Sequence, residues 1–435
     1  MKILFITSSP IVNEKSVGNT FLNIFSGLEE MELASIYVKP GTPDMRITKA
    51  LRIDEKMLIK NLIDKNNPVG ESVFPDGAPP ASPSPVPDAQ PTGHTPSGLT
   101  HFLLTKRWTV FFWIQNLIWS LGRWKSPQLK QFIKEYKPDV IFVTLAHLPF
   151  LNNMILHALN LSGAKLAVYA WDNNYSFKMM SLSPLKWIDR ALNRRSMRRV
   201  IKKADLFYVI SDIQKQDYER YFSKKCTVLT KGGVFEEKPD YTRDSSTPIQ
   251  LVYTGNIALG RWRSLGKIAA ALKAINTDGV KAQLRIYTAT PMTKKMTQAL
   301  DIPDSSFLMG SVPSSEIPGI QQKADILVHV EDFSLKNRLD VRQSFSTKLV
   351  DYFAMAKCIF AVGPKDVASI DCLLRNGCAV VACDGGEVAE RLHMLVTQPQ
   401  KIDEYAQKAW QCGKENYEMG AVEARLRRDL NELVN

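Results

Sequence analysis

The sequence holds few histidines, no C-x-x-C pair, and no apolar run of the roughly 20 residues that a membrane-spanning helix needs. Each lack excludes something. The six cysteines, Cys226, Cys358, Cys372, Cys378, Cys383 and Cys412, all lie in the second half, several of them in apolar runs. That pattern fits reduced, buried thiols of a cytosolic protein better than a disulfide framework or a zinc site. At the amino terminus the apolar run Ile3–Ile6 is too short for a secretory signal and lacks a small-residue cleavage site, and Pro10 opens a polar loop. It reads as a first strand, and the protein is expected to stay in the cytoplasm. Acidic residues are also short, 44 against 56 lysines and arginines, which leaves a formal charge of +12. No nucleic-acid-binding motif is visible, so the excess points to phosphate-bearing substrates or an anionic membrane surface, not to nucleic acid.

What is present organises into two halves. A chain of 435 residues is too long for one ordinary core, and 45% hydrophobic residues suffice for two. Apolar strand candidates at 2–8, 34–38, 139–145, 165–171, 204–211 and 226–229 alternate with helical segments. After a charged, proline-bearing linker at 236–247 the rhythm restarts at 249–253, 282–288, 306–309, 326–330, 358–362 and 379–382. Nearly all-apolar strands alternating with helices argue for parallel sheets covered on both faces. The expected architecture is α/β, two Rossmann-like doubly wound domains facing each other across a cleft. The domains are placed at 1–235 and 248–415, with a last helix at 416–435 packing back on the first domain. Residues 68–100, rich in Pro, Ser and Gly, are read as a disordered insertion in the first domain. Ligands of such sheets bind beyond the carboxyl ends of the strands, hence in the cleft.

One stretch carries the most chemistry: Ser344-Phe-Ser-Thr-Lys-Leu-Val-Asp-Tyr-Phe-Ala. It reads as a polar turn leading into an amphipathic helix. Ser346, Thr347 and Lys348 gather two hydroxyls and an ammonium at the helix amino terminus, which suits a diphosphate. Asp351, one turn on, is placed to accept hydrogen bonds from ribose hydroxyls. A second feature is Leu251-Val-Tyr-Thr-Gly255-Asn256, followed by Gly260-Arg261-Trp-Arg263. A glycine after a strand admits close backbone approach, and Arg261 and Arg263 are expected to fork onto phosphate oxygens. The plain alternative is a tight turn followed by a solvated basic patch.

With these residues in hand, 250–365 resembles the carboxy-terminal half of retaining glycosyltransferase family 4, long called group 1, which has the GT-B fold. Ala324-Asp-Ile-Leu-Val-His-Val-Glu331 is similar to the family's short strand before its signature. Ser344 to Ala354 is similar to the signature helix, in wording close to the bacterial capsule and exopolysaccharide members. Where the family has Glu, seven residues, Glu, this chain has Gln343 and Asp351; either Gln343 or Glu331 takes the place of the first glutamate. The resemblance implies diphosphate contact at Arg261 and Lys348 and a sugar contact at Gln343. By the family's layout the loop from Ser9 to Gly18-Asn19 borders donor or acceptor, though an ordinary strand–helix connection is as good a reading. Active-site loops of the family imply catalytic roles for His147 and Asp172, each just past a strand end; a lone histidine is more often structural.

Two further segments stand out. Trp108, Trp113, Trp119 and Trp124 lie within 104–125, bracketed by Lys106, Arg107, Arg123 and Lys125. This is either an in-plane interfacial helix or a core-packed one. Residues 186–203 form a helix with a basic face, ordinarily solvated, which would also lie on anionic lipid. His94 and His101 fall in or beside the Pro-rich stretch and are set aside. The resemblance thus implies a glycosyltransferase, retaining and of hexosyltransferase type, of bacterial surface polysaccharide synthesis. Its donor would be a nucleoside-diphosphate sugar, UDP-linked, its acceptor a glycan or lipid-linked, with no metal or other cofactor. A GT-B UDP-sugar epimerase and a non-catalytic, membrane-associated polysaccharide assembly protein remain as alternatives.

Overall fold

The computed structural model describes residues 1–12, 16–44, 46–74, 109–239, 243 and 246–435. The first domain is built on an eight-stranded sheet. In chain order its strands are β1 (Lys2–Thr7), β2 (Glu32–Tyr37), β3 (Lys49–Arg52), β4 (Glu71–Ser72), β5 (Val140–Thr144), β6 (Lys165–Ala170), β7 (Leu206–Val209) and β8 (Thr227–Val228). Their spatial order is β4-β3-β2-β1-β5-β6-β7-β8. All neighbours run parallel except the edge pair β3–β4. The second sheet has six parallel strands: β9 (Ile249–Thr254), β10 (Ala282–Tyr287), β11 (Ser306–Gly310), β12 (Ile326–Val330), β13 (Cys358–Val362) and β14 (Val380–Ala382). They are ordered β11-β10-β9-β12-β13-β14. In each sheet the order reverses beside the first strand of the domain, and the loops that diverge there leave a crevice.

The packing follows from the two-residue period of a strand. Ile3 and Phe5 of β1 enter one buried cluster while Leu4 and Ile6 enter another, on the opposite face of the sheet. In β13, Ile359 and Ala361 join the first of these clusters, and Cys358, Phe360 and Val362 join a third. One apolar cluster therefore runs through both domains, and each sheet keeps a private one on its other face. The long helix Gln400–Tyr417 contributes Ala409, Trp410 and Cys412 to the shared cluster. Glu418 interrupts the chain there and caps the next helix, accepting from the backbone N–H of Gly420 and Ala421 at 3.0 and 2.7 Å. That final helix, Met419–Val434, reaches the first domain: Glu423 accepts from Ser26 Oγ and Gly27 N, both at 2.7 Å, and Arg427 pairs with Glu30 at 2.8 Å.

Two strands escape the sequence reading. β3 and β4 are short and polar, with no apolar run to mark them, and their pairing comes from tertiary context. The expected start of the Pro-rich insertion at 68 is corrected on the same ground. Val69 and Phe74 are buried and β4 pairs with β3, so residues up to 74 belong to the first domain. Residues 75–108, which include His94, His101, Lys106, Arg107 and Trp108, lie outside the described residues.

The tryptophan-rich segment forms the helix Thr109–Leu121, whose inner side packs into the core. Trp119 is buried, stacked on Phe150 with ring centroids 4.5 Å apart, and Trp124 is buried beside it. The helix nonetheless keeps an apolar outer face.

Candidate functional site

The site is assembled at the carboxyl end of β9. The backbone leaves Thr254 through Gly255 at φ +136°, a conformation that side chains disfavour. A Cβ at Gly255 would sit 2.5 Å from the Lys348 ammonium, so the glycine also makes room for that charge. Lys348, first residue of the helix Lys348–Ala354, donates to the Thr254 carbonyl at 2.8 Å and lies 5.2 Å from the centre of the Tyr253 ring. Among the described residues no carboxylate pairs with it. Burial, reinforced by the nearby Arg261 guanidinium, pulls the ammonium down to about 8. An anion arriving here would meet a cation with no acid to displace.

Around this lysine are groups that already have partners. Arg261 forks onto Glu331, Nε to Oε2 at 3.0 Å and Nη2 to Oε1 at 3.1 Å. Burial raises the Glu331 carboxyl, and Arg261 opposes that shift. Burial also holds His329 well below its ordinary value, aided by Lys348 and Arg261, so its 3.8 Å approach to Glu331 is not an ion pair. Arg263 turns elsewhere and binds Asp332 at 3.1 Å. Both arginines expected to fork onto phosphate oxygens are thus held by carboxylates in this structure. Residues two apart on a helix point away from each other, and each of these finds its own carboxylate. Asp332 also holds Asn337 at 2.7 Å, and a Cβ at Gly260 would strike both side chains.

The polar turn before Lys348 is likewise engaged. The Ser346 backbone N–H donates to Ser369 Oγ at 2.9 Å, and Thr347 caps the helix without a side-chain bond. Lys348 Nζ, more than the helix end, is the group free to meet an anion. Asp351 faces the other domain, where Lys231 Nζ lies 2.6 Å from its Oδ1. Tyr352 is buried. Asn256 lines a pocket of about 600 Å³ with Gly255, Tyr287, Thr288, Thr290 and Ser311. Its Oδ1 accepts from the Ala258 N–H at 2.6 Å and is 3.3 Å from Thr290 Oγ1. Sequence reasoning missed this pocket's Tyr287, Thr288 and Thr290, although the loop after a strand ending at 288 was the available signal. It also missed Lys231, which no local pattern distinguishes.

The three residues expected to be catalytic fall in two places. Asp172 and Gln343 lie on the seam between domains. Asp172 Oδ1 accepts from Ser344 Oγ at 2.8 Å, and Asn173 Nδ2 donates to the Leu339 carbonyl at 3.1 Å. Gln343 is buried, its Nε2 bound to Asp217 at 2.6 Å, where Arg342 also pairs. Its amide is thus turned into the first domain. His147 stands apart, with Nε2 3.1 Å from Asp189 Oδ2; the other oxygen of Asp189 accepts from Trp113 Nε1 at 3.1 Å. Asp189 and Trp113 line a pocket of about 410 Å³ with Trp119, Trp124 and Phe150. On the helix Ser16–Ile24 that follows the loop after β1, Gly18 is buried where a Cβ would overlap the Val12 carbonyl, and Asn19 is exposed. Asn23, on the same helix Ser16–Ile24, exchanges hydrogen bonds with Gly232, so this helix borders the Lys231 loop. Asn13–Lys15 lie outside the described residues.

No family model matches the chain, and no curated protein matches its sequence. Solved structures do resemble it. HepE of Anabaena in complex with UDP is similar at 12% identity over 100% of both chains, with a TM-score of 0.62. Sucrose-phosphate synthase from Thermosynechococcus elongatus is similar at 10% identity over 99% of this chain and 98% of its own, with a TM-score of 0.62. TarM of S. aureus, solved with UDP among its ligands, is similar at 11% identity over 70% of this chain and 58% of its own, with a TM-score of 0.51. At such identities the likeness shows the fold, two Rossmann-like domains in the GT-B arrangement.

Proposed function

We propose that this chain is a glycosyltransferase that takes a UDP-linked sugar and passes the sugar to a glycan or lipid-linked acceptor in bacterial surface polysaccharide synthesis. The observation that carries the reading is Lys348: a buried ammonium without an acidic partner, held by the Thr254 carbonyl against a glycine that leaves it room. Sugar transfer from a nucleoside diphosphate builds negative charge on the departing diphosphate, and a fixed cation in a poorly solvated place stabilises that charge most. We assign this role to Lys348, with Arg261 joining it by exchanging Glu331 for a phosphate oxygen. The 600 Å³ pocket beside Gly255 is assigned to the nucleoside, and Asp351, released by Lys231, to the ribose. HepE was solved with UDP and with UDP-glucose, which supports UDP as the donor nucleotide.

On the acceptor side we assign the tryptophan-lined pocket beside His147. Indole faces cover sugar rings or isoprenoid carbons, while Asp189 and His147 offer a proton-accepting edge. Asp172 and Gln343 act as seam residues that set the spacing of the domains. Membership of family 4, the retaining outcome and the hexosyltransferase type follow from the sequence resemblance. The test is incubation of the full chain with UDP-sugars and a bacterial lipid-linked glycan fraction, followed by mass spectrometry. A mass increase of one sugar on the acceptor is expected. Interconversion of the UDP-sugar without acceptor would identify an epimerase, and UDP binding with neither reaction would identify an assembly protein.

A further inference from the structure

Three helices of the first domain lie side by side, away from the Lys348 cradle. Glu55–Ile63 and Thr109–Leu121 are tied by Glu55, whose Oε1 accepts from Gln115 Nε2 at 2.7 Å and Trp119 Nε1 at 2.9 Å. Thr109–Leu121 and Pro184–Lys203 are tied through Trp113 and Asp189. Polar anchors on the inner faces fix which side chains point out. On Thr109–Leu121 the outward stripe is Val110, Ile114, Leu117 and Leu121, at helical spacing, and Leu117 and Leu121 are 57% and 62% exposed. The helix carries no charged residue. On Pro184–Lys203 the exposed apolar residues Leu185, Ile188 and Leu192 recur at the same spacing, and Ile59, Leu62 and Ile63 add a third exposed set. So much apolar surface on adjoining helices is unusual in a monomer in water.

The stripe on Pro184–Lys203 then changes character without changing face. Arg195, Arg199 and Lys202 continue it, and with Arg194 and Arg198 they line an open cleft of about 580 Å³ against Phe177. Among the described residues none of these five cations forms an ion pair with an acid. Apolar surface bordered by unpaired cations matches a leaflet in which acyl chains lie beside phosphate headgroups. A water-soluble anion would use the cleft and leave the stripes uncovered. Thr109–Leu121 spans only about 20 Å at the usual helical rise, and no described helix is long and apolar enough to cross a membrane. A bilayer could therefore meet these helices only along its surface.

We propose that the outer face of these three helices is a docking surface for an anionic lipid bilayer, with lipid phosphates seated in the arginine cleft. The inference does not depend on sugar transfer, because its test contains no nucleotide. The full chain is sedimented with phosphatidylcholine vesicles that contain about one-third phosphatidylglycerol, a proportion chosen to give a strongly negative surface, and with vesicles of phosphatidylcholine alone. It is expected to pellet with the first and stay in solution with the second. Leu117→Glu with Leu121→Glu replaces exposed residues, so the fold should survive, and binding should be lost. Arg195→Ala with Arg199→Ala should weaken it about 30-fold, since each basic residue at such a surface strengthens binding about fivefold. Circular dichroism and thermal unfolding check that both variants are folded. Wild-type protein that stays in solution with anionic vesicles overturns the proposal, as do folded variants that pellet like the wild type. A dimer in ultracentrifugation that Leu117→Glu with Leu121→Glu dissociates, without vesicle binding, overturns it in favour of a second copy of the chain.

Discussion

Two cationic regions of this molecule are built on opposite plans. In the second domain Lys348 and Arg261 are drawn inward, beside Glu331 and His329, and burial pulls the Lys348 ammonium down to about 8. In the first domain Arg194, Arg195, Arg198, Arg199 and Lys202 line an open cleft with no acid between them. Desolvation makes a few charges strong and selective, at the expense of the protonated state. Solvated charges are individually weak, but they add over a surface. The first plan suits one small anion in a defined pose, and the second suits a broad anionic plane.

The comparison breaks most visibly at Lys348. Lys348→Ala should lower UDP affinity about 100-fold, roughly the 3 kcal/mol that loss of a desolvated charge contact costs. Unchanged affinity by titration calorimetry would remove the central claim. Gly255→Ala comes next. The added methyl meets the ammonium and also sits at φ +136°, so UDP affinity should fall about 30-fold and stability by about 1–3 kcal/mol. Urea denaturation beside the UDP titration checks both; a stable variant with normal affinity would show that the ammonium has another place to go.

The pH dependence is smaller, and its sign is fixed. Bound diphosphate raises Lys348 above the value of about 8 it has in the free chain, so binding above that pH takes up a proton. Affinity should therefore fall about tenfold between pH 7 and pH 9, measured by titration in buffers of different ionisation heat. For the ligand-free fold the sign is opposite: the buried lysine disfavours folding below about pH 8, and that penalty fades as pH rises toward the ordinary value of 10.5. The smallest effect belongs to Lys231→Ala. Asp351 is 44% exposed at its side chain, so losing this pair should cost under about 1 kcal/mol in thermal unfolding. A much larger loss would mean that the pair fastens the two domains in place of merely marking their border.

Much of the architecture was legible because parallel strands covered on both faces must be apolar throughout. β1, β5, β6, β12 and β13 announce themselves in this way. β4 does not, since a short edge strand needs only backbone partners, and β3 is too short to show an apolar run, burying only Ala50 and Leu51. Gly255 and Lys348 were legible as a turn glycine and as a lysine at a helix start. The pairing around them was not. Arg261 and Arg263 look equivalent in sequence, yet one meets Glu331 and the other Asp332. Gln343 appeared to stand in for a catalytic glutamate, and it is buried against Asp217 from the other domain. The tryptophan-rich helix hides its division of labour in the same way, with Trp119 in the core and Leu117 in water.

The sequence alone determined the two α/β domains, the backbone turn that requires Gly255 and the presence of a cation at the start of the Lys348 helix. These depend on side-chain periodicity and on steric limits of single residues, which act over a few positions of chain. Tertiary structure decided which charges are neutralised and which are left available. Lys231 and Asp351 meet across 120 residues of sequence, and Arg342 and Asp217 across 125. Among the described residues Lys348 forms no ion pair, because the nearby Glu331 is held by Arg261 and Asp351 by Lys231. Electrostatic pairing depends on distances between elements that only the packed sheets establish, and no local pattern carries that information.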